Sequence, residues 1–236
     1  MSWRVGTTGW QYADWRGDFY PARMPQRLWL EHYAGAFDTV EVNNAFYRLP
    51  ERSVFEGWAA RTRPGFVVAV KGSRYLTHIK RLQEPEEPVA RLLARATGLG
   101  EQLGPVLLQL PPTLRAAPER LEQTLAQFPP SVRVAVEPRH ASWWSEHVRA
   151  ILQAHRAALV WADRDEQAVT PLWATADWGY LRLHHGAPGW DYSDAALARW
   201  AAQLRDTFPA GYAFANNDPG GAAVRDAVRL RQLLSS

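Results

Sequence analysis

Glu41, Lys71, Glu137 and His184 are the residues of this chain best suited by type to proton transfer or to the stabilisation of developing charge. Two carboxylates in unlike environments can hold different protonation states at one pH, so Glu41 and Glu137 form a candidate general acid/base pair. Arg139 and Arg182 offer planar bidentate faces that suit a phosphate or carboxylate, or that would neutralise the same glutamates. Lys71 is one of only two lysines among 27 basic residues, in a composition that otherwise uses arginine. It marks a position where a compact ammonium suits better than a guanidinium. Glu137, Asp163, His184 and Asp218 supply the oxygen and imidazole donors that a divalent metal would need, without a compact ligand motif.

Each of these groups ends an apolar run. The segments 3–6, 38–42, 66–70, 105–110, 133–137, 157–163, 179–183 and 211–215 are short and rich in β-branched residues. They read as strands buried on both faces, the mark of a parallel sheet. Between most of them apolar residues recur at helical spacing, as in Leu30, Tyr33, Ala34 and Phe37, or Leu121, Leu125 and Phe128 after Pro118. Ser145 and Ser193 are expected helix caps. The stretch from Arg164 to Trp178 has no clean helical period, which predicts one irregular crossover. Strand and helix alternating eight times in 236 residues is the pattern of an α/β fold of the (β/α)8 TIM-type barrel, expected as one domain over 1–236. A doubly wound open sheet is the alternative, made weaker by the lack of a glycine-rich dinucleotide fingerprint.

A barrel gathers the C-terminal ends of its strands at one mouth. There the sequence places Thr8-Gly9-Trp10 with Tyr12, Glu41 with Asn43, Lys71 followed by His78, and Gln109. The later strands bring Glu137 with Arg139, His140 and Trp143, then Asp163, Arg182 with His184, and Asn216-Asn217-Asp218. Convergent polar groups of this kind are a substrate-binding site in expectation. The loop tryptophans, Trp10, Trp15, Trp143, Trp144 and Trp190, could stack on a sugar or base, or pack beneath the loops.

Composition narrows the partners. With 47% hydrophobic and 22% charged residues the chain is an ordinary globular one, and with no cysteine it has no disulfide, thiolate metal site or cysteine nucleophile. The apolar runs are too short to span a bilayer, so no membrane partner and a cytoplasmic location are expected. A net charge of +3 is a weak attraction for nucleic acid.

The segments GTTGWQYADWRGDFYP, TVEVNNAFYRLP, FVVAVKGSRYLTHIKRL, LGPVLLQLPP, VAVEPRHASWW, YLRLHH and NND together resemble the Domain of Unknown Function 72, or YecE-like, family. The resemblance runs from Val5 to the last helix. It implies a TIM-type barrel, and it singles out Gly6, Gly9, Trp10, Tyr12, Trp15, Glu41, Asn43, Phe46, Tyr47, Lys71, His78, Gln109, Pro111, Glu137, Arg139, His140, Trp143, Arg182, His184, Asn216 and Asn217, but it implies no activity. Thr8, Ala45, Pro138, His185 and Ala215 depart from the family's usual residues, and Ala45 removes a hydroxyl where threonine is common. From residues and resemblance together, the leading expectation is a site for a phosphorylated or nucleic-acid substrate, hydrolase-like if catalytic and loosely similar to endonuclease IV-type barrels. In that mechanism Glu41 or Glu137 activates water while Arg139, Arg182 and Lys71 stabilise charge on phosphate. The alternatives are a carbohydrate isomerase, epimerase or glycosidase using the two glutamates on a polyhydroxylated ligand, and a non-catalytic binder of a small anion or nucleic acid. A divalent metal is the only cofactor considered.

Overall fold

A computed structural model of the chain describes residues 3–235. Its strands are β1 (Trp3–Thr7), β2 (Thr39–Val42), β3 (Val67–Lys71), β4 (Leu103–Gln109), β5 (Val134–Glu137), β6 (Ala158–Leu159), β7 (Trp161–Arg164), β8 (Gln167–Ala168), β9 (Gly179–Leu183) and β10 (Gly211–Ala215). Parallel pairing runs β2-β3-β4-β5-β6 in one sheet and β1-β10-β9-β7 in the other, with β8 folded back antiparallel on β7. Two seams join the sheets. One is the single residue Val160 between β6 and β7, whose amide still reaches Val136 O at 2.9 Å. At the other, Thr8 bridges Glu41 in parallel and the Gly9 amide donates to Glu41 O at 2.8 Å. The strands therefore follow one another around a ring of eight parallel positions, β6 and β7 sharing one.

The β1/β2 seam depends on Gly6. A Cβ there would lie 2.2 Å from Thr39 O and 2.9 Å from the Tyr33 hydroxyl, which itself donates to Thr39 O. Only a residue without a side chain lets the two strands come this close.

Helices α1 (Trp29–Ala36), α2 (Asn44–Tyr47), α3 (Arg52–Ala60), α4 (Glu86–Ala96), α5 (Pro118–Leu125), α6 (Glu146–Ala154), α7 (Asp194–Thr207) and α8 (Ala222–Ser235) follow or separate the strands. Ser145 and Ser193 cap α6 and α7 by accepting from Val148 N and Ala196 N. Between β7 and β9 the expected irregular crossover replaces a helix. In it the hydroxyl of Thr170 accepts from Ala162 N and donates to Val160 O, and that of Thr175 accepts from Leu159 N and donates to Ala157 O. Two side chains thus satisfy backbone groups that lack a neighbouring strand.

Side chains alternate across each strand. Val68, Val70, Leu108, Val136, Leu181 and Leu183 join a large cluster with the helices. Their neighbours Ala69, Leu107, Ala135, Val160, Tyr180 and Phe214 form a second buried cluster that fills the ring. Among the described residues no helix is long and apolar enough to cross a membrane.

Candidate functional site

Continuing the inward alternation by one step toward the C-terminal ends explains the site. Two residues beyond Ala69, Leu107, Ala135 and Tyr180 stand Lys71, Gln109, Glu137 and Arg182, and two beyond Arg182 and Phe214 stand His184 and Asn216. Apolar side chains fill the lower ring and polar ones cap it.

Arg182 is the centre of the cap. Its Nη2 donates to Glu41 Oε1 at 2.8 Å and its Nη1 to Glu137 Oε2 at 2.7 Å, all three side chains being almost wholly buried. The other Glu41 oxygen accepts from the Tyr180 hydroxyl at 2.6 Å. Glu137 Oε2 also accepts from Gln109 Nε2 at 2.8 Å, while its Oε1 meets His184 Nε2 at 2.9 Å and Arg139 Nε at 3.5 Å. One guanidinium therefore clamps carboxylates from β2 and β5, and each carboxylate has further donors on its remaining lone pairs.

The electrostatics follow from this pairing. Burial pushes the Glu137 carboxyl up, but the charge of Arg182, the His184 hydrogen bond and Arg139 outweigh it and hold the group well below the usual carboxylate range. Burial works against the Arg182 charge too, and the two glutamates together keep it above its ordinary value. Tyr180 is held well above the usual phenol value, by burial and then by the Glu41 charge.

His184 has one tautomer imposed on it. The Thr8 hydroxyl donates to Asn216 Oδ1, which turns the Asn216 amide nitrogen toward His184 Nδ1 at 3.1 Å. With Nδ1 accepting, the ring proton sits on Nε2 and points at Glu137. Burial lowers the His184 pKa, so the imidazole is a neutral donor fixed at both ends.

Lys71 is different. It is 9% exposed, and among the described residues it has no hydrogen bond or ion pair. Its Nζ lies 4.3 Å from the centre of the Phe46 ring. Burial, reinforced by Arg182, lowers its pKa to about 8, with Glu41 and Glu137 pulling weakly the other way. His78, on the π-helical turn Tyr75–Ile79, meets the same Phe46 ring edge-on at 4.9 Å. Burial and the nearby Lys71 push His78 down to about 4. Beside the clamp, under the β5 and β7 ends, lies a cavity of about 270 Å³ lined by Glu137, Arg139, Arg164, Thr170 and His184 among others.

Other expected site residues have different surroundings. Trp10 and Trp143 are core side chains, Trp10 edge-on to Trp58 and Trp143 fully buried with its Nε1 donating to Leu114 O. Trp15 is likewise buried. Trp190 alone among the expected stacking tryptophans is substantially exposed. His140 accepts from Ser142 N and caps a short turn. Asn217 donates to Asp226 and to Trp190 O, tying the last loop to α8. Tyr12 donates to Thr8 O at 2.6 Å, and Asn43 carries an enclosed carbonyl oxygen with no hydrogen-bond partner among the described residues.

The four residues considered for a metal do not gather. Glu137 and His184 meet each other, but both Asp163 oxygens are taken by Tyr192 and Trp200. No group of three or more such donors with metal-holding geometry occurs among the described residues.

Eight parallel strands with covering helices and an ionisable cluster at their C-terminal ends define a TIM-type α/β barrel protein with a site at its mouth. The chain belongs to the family described as Protein of unknown function DUF72, whose model matches residues 4–236. A DUF72 family protein from Thermotoga maritima MSB8 is 26% identical and superposes with a TM-score of 0.88 over 100% of both chains. One from Enterococcus faecalis V583, 18% identical, shares the fold with a TM-score of 0.83 over 99% of this chain and 95% of its own. UPF0759 protein YecE of Escherichia coli (strain K12) is 33% identical over 84 residues, 36% of this chain and 31% of that protein. The matched segment thus spans about a third of that relative's length.

Two members of the site escaped the reading of residue types. Tyr180 is on the inward face two residues before Arg182, so strand parity could have found it. Phe46, under the Lys71 ammonium, is marked by the family resemblance alone, because its position depends on how α2 turns back over β3.

Proposed function

We propose that the mouth binds a phosphate-bearing ligand, held by Lys71, Arg139 and Arg164. The observation that carries this reading is an imbalance of charge. Arg182 already serves both buried carboxylates, so the cations around them are left in excess, and two of them, Arg139 and Arg164, line the cavity with Arg139 about a third exposed. Apolar walls beside such cations strengthen their attraction for an anion. The same pairing argues against Glu41 and Glu137 as a water-activating pair or as glycosidase carboxyls. Each accepts from fixed donors, and Glu137 is held ionised far below neutral pH.

Isothermal titration with ribose 5-phosphate and with ribose tests this. The phosphorylated sugar should bind and ribose should not, Arg139→Ala should weaken binding by about tenfold or more, and affinity should fall with added salt. Equal binding of the two sugars would overturn the proposal.

A polynucleotide is a second reading, supported by exposed rings on the same face. Tyr47 is 81% exposed after β2, Tyr75 follows β3, and Trp190 follows β9. Rings so placed can stack bases on a positively charged surface. This reading requires a single-stranded oligonucleotide to bind more tightly than ribose 5-phosphate, and Tyr47→Ala to remove the difference.

A further inference from the structure

We propose that Lys71 is a nucleophile that captures the carbonyl carbon of a small phosphorylated aldehyde or ketone, forming an imine at its Nζ. The inference deepens the phosphate-binding reading by naming the class of ligand, and its anionic preference rests on that reading.

The geometry is that of an amine kept free. A lysine on an inward strand face next to two glutamates would ordinarily pair with one of them. Here Arg182 occupies both, and Tyr180, Gln109 and His184 occupy their other lone pairs. The Lys71 amine is left against the Phe46 ring, buried along its stem, with its Nζ not among the wholly enclosed polar atoms. The groups facing it are Glu41 from β2, Glu137 and Arg139 from the end of β5, Arg182 from β9, and His78 from the turn after β3, with Arg74 acting on His78 in turn. Burial and the arginines oppose its charge, so a substantial fraction of Nζ is unprotonated near pH 8. Desolvated amines beside other cations are activated in this way.

The reaction balances without an oxidant or reductant. The lone pair of the free amine attacks the carbonyl carbon, and the carbonyl π pair moves to oxygen, which takes a proton to give a carbinolamine. Loss of that oxygen as water, with the last nitrogen-bound proton passing to solvent, leaves the C=N bond. One carbonyl compound and one amine yield one imine and one water.

The chain carries its own control, because its only other lysine is Lys80. Lys80 is on the surface and ion-paired with Glu84, which raises its pKa. The native protein is incubated with glycolaldehyde phosphate, or with glycolaldehyde, and with sodium cyanoborohydride to trap imines, and modification is mapped by peptide mass. Lys71 should be modified at least tenfold faster than Lys80 at pH 7.5, with its rate half-maximal near pH 8. The phosphorylated aldehyde should be preferred, and Lys71→Arg should abolish the fast modification. If Lys80 or the N-terminal amine reacts as fast as Lys71 with both aldehydes, the proposal is overturned. Fast reaction at Lys71 with no preference for the phosphorylated aldehyde would sustain the nucleophile and overturn the phosphate reading alone.

Discussion

Arg182 keeps its charge in the interior because two carboxylates accept from its Nη atoms, while its enclosed Nε has no partner among the described residues, and the arrangement is only as stable as its weakest partner. Removing one member of a buried ion pair leaves an uncompensated charge, at about 3–5 kcal/mol. Arg182→Met should therefore lower unfolding free energy at pH 7 by that order, measured by urea denaturation. The pH dependence should also invert. In the native protein the Glu137 pKa is depressed, so its contribution is present above the ordinary glutamate value of about 4.3 and is lost only as pH falls toward the folded value. Without Arg182, burial should raise the Glu137 carboxyl, so the folded state binds a proton that the unfolded state releases, and stability should fall as pH rises above about 4.3. A variant that loses stability equally at pH 4 and pH 7 would contradict this account. Arg182→Lys should lie between the two, since an ammonium cannot fork to both carboxylates.

The crossover between β7 and β9 replaces a helix by hydroxyls. Thr175 satisfies Leu159 N and Ala157 O, so Thr175→Val, nearly equal in shape, leaves two buried backbone groups without partners. Each such group costs about 1–3 kcal/mol, and denaturant midpoints should show a loss of that order, with Thr170→Val behaving alike. A midpoint unchanged in both variants would mean that the hydroxyls are dispensable. This element also marks where reading the sequence ran out. All eight apolar runs are strand positions in the ring, the caps at Ser145 and Ser193 form, and the lack of helical period over 164–178 is real, because those signals are local. The break at Val160 and the π-helical turn carrying His78 depend on neighbours distant in sequence. So does the sorting of the polar strand ends: Glu41 and Arg182 are 141 residues apart, and nothing local says that they pair. The burial of Trp10 and Trp143 is the packing beneath the loops that their sequence positions allow beside stacking.

For the molecule as a whole, the ring closes where β1 meets β2, and Gly6 is the residue that permits it. Gly6→Ala should force the strands apart and destabilise by about 1–3 kcal/mol or more, as overpacking does. Gly57, on α3 with open space around its Cα, is the matched control. Gly57→Ala should be neutral or stabilise by up to about 1 kcal/mol, since alanine is the better helix former. Thermal unfolding of both variants reads the difference, and equal midpoints would show that the seam has slack. The Arg182 clamp extends the same reasoning upward. It joins β2, β5 and β9, three walls spread around the ring, so the floor of the mouth is also a brace across it. A lineage of such proteins that changes its ligand cannot freely rewrite that floor without loosening the barrel. New preferences have to be tried first at the rim, on side chains such as Arg139, Arg164, Tyr47 and Trp190, which can vary while the brace holds.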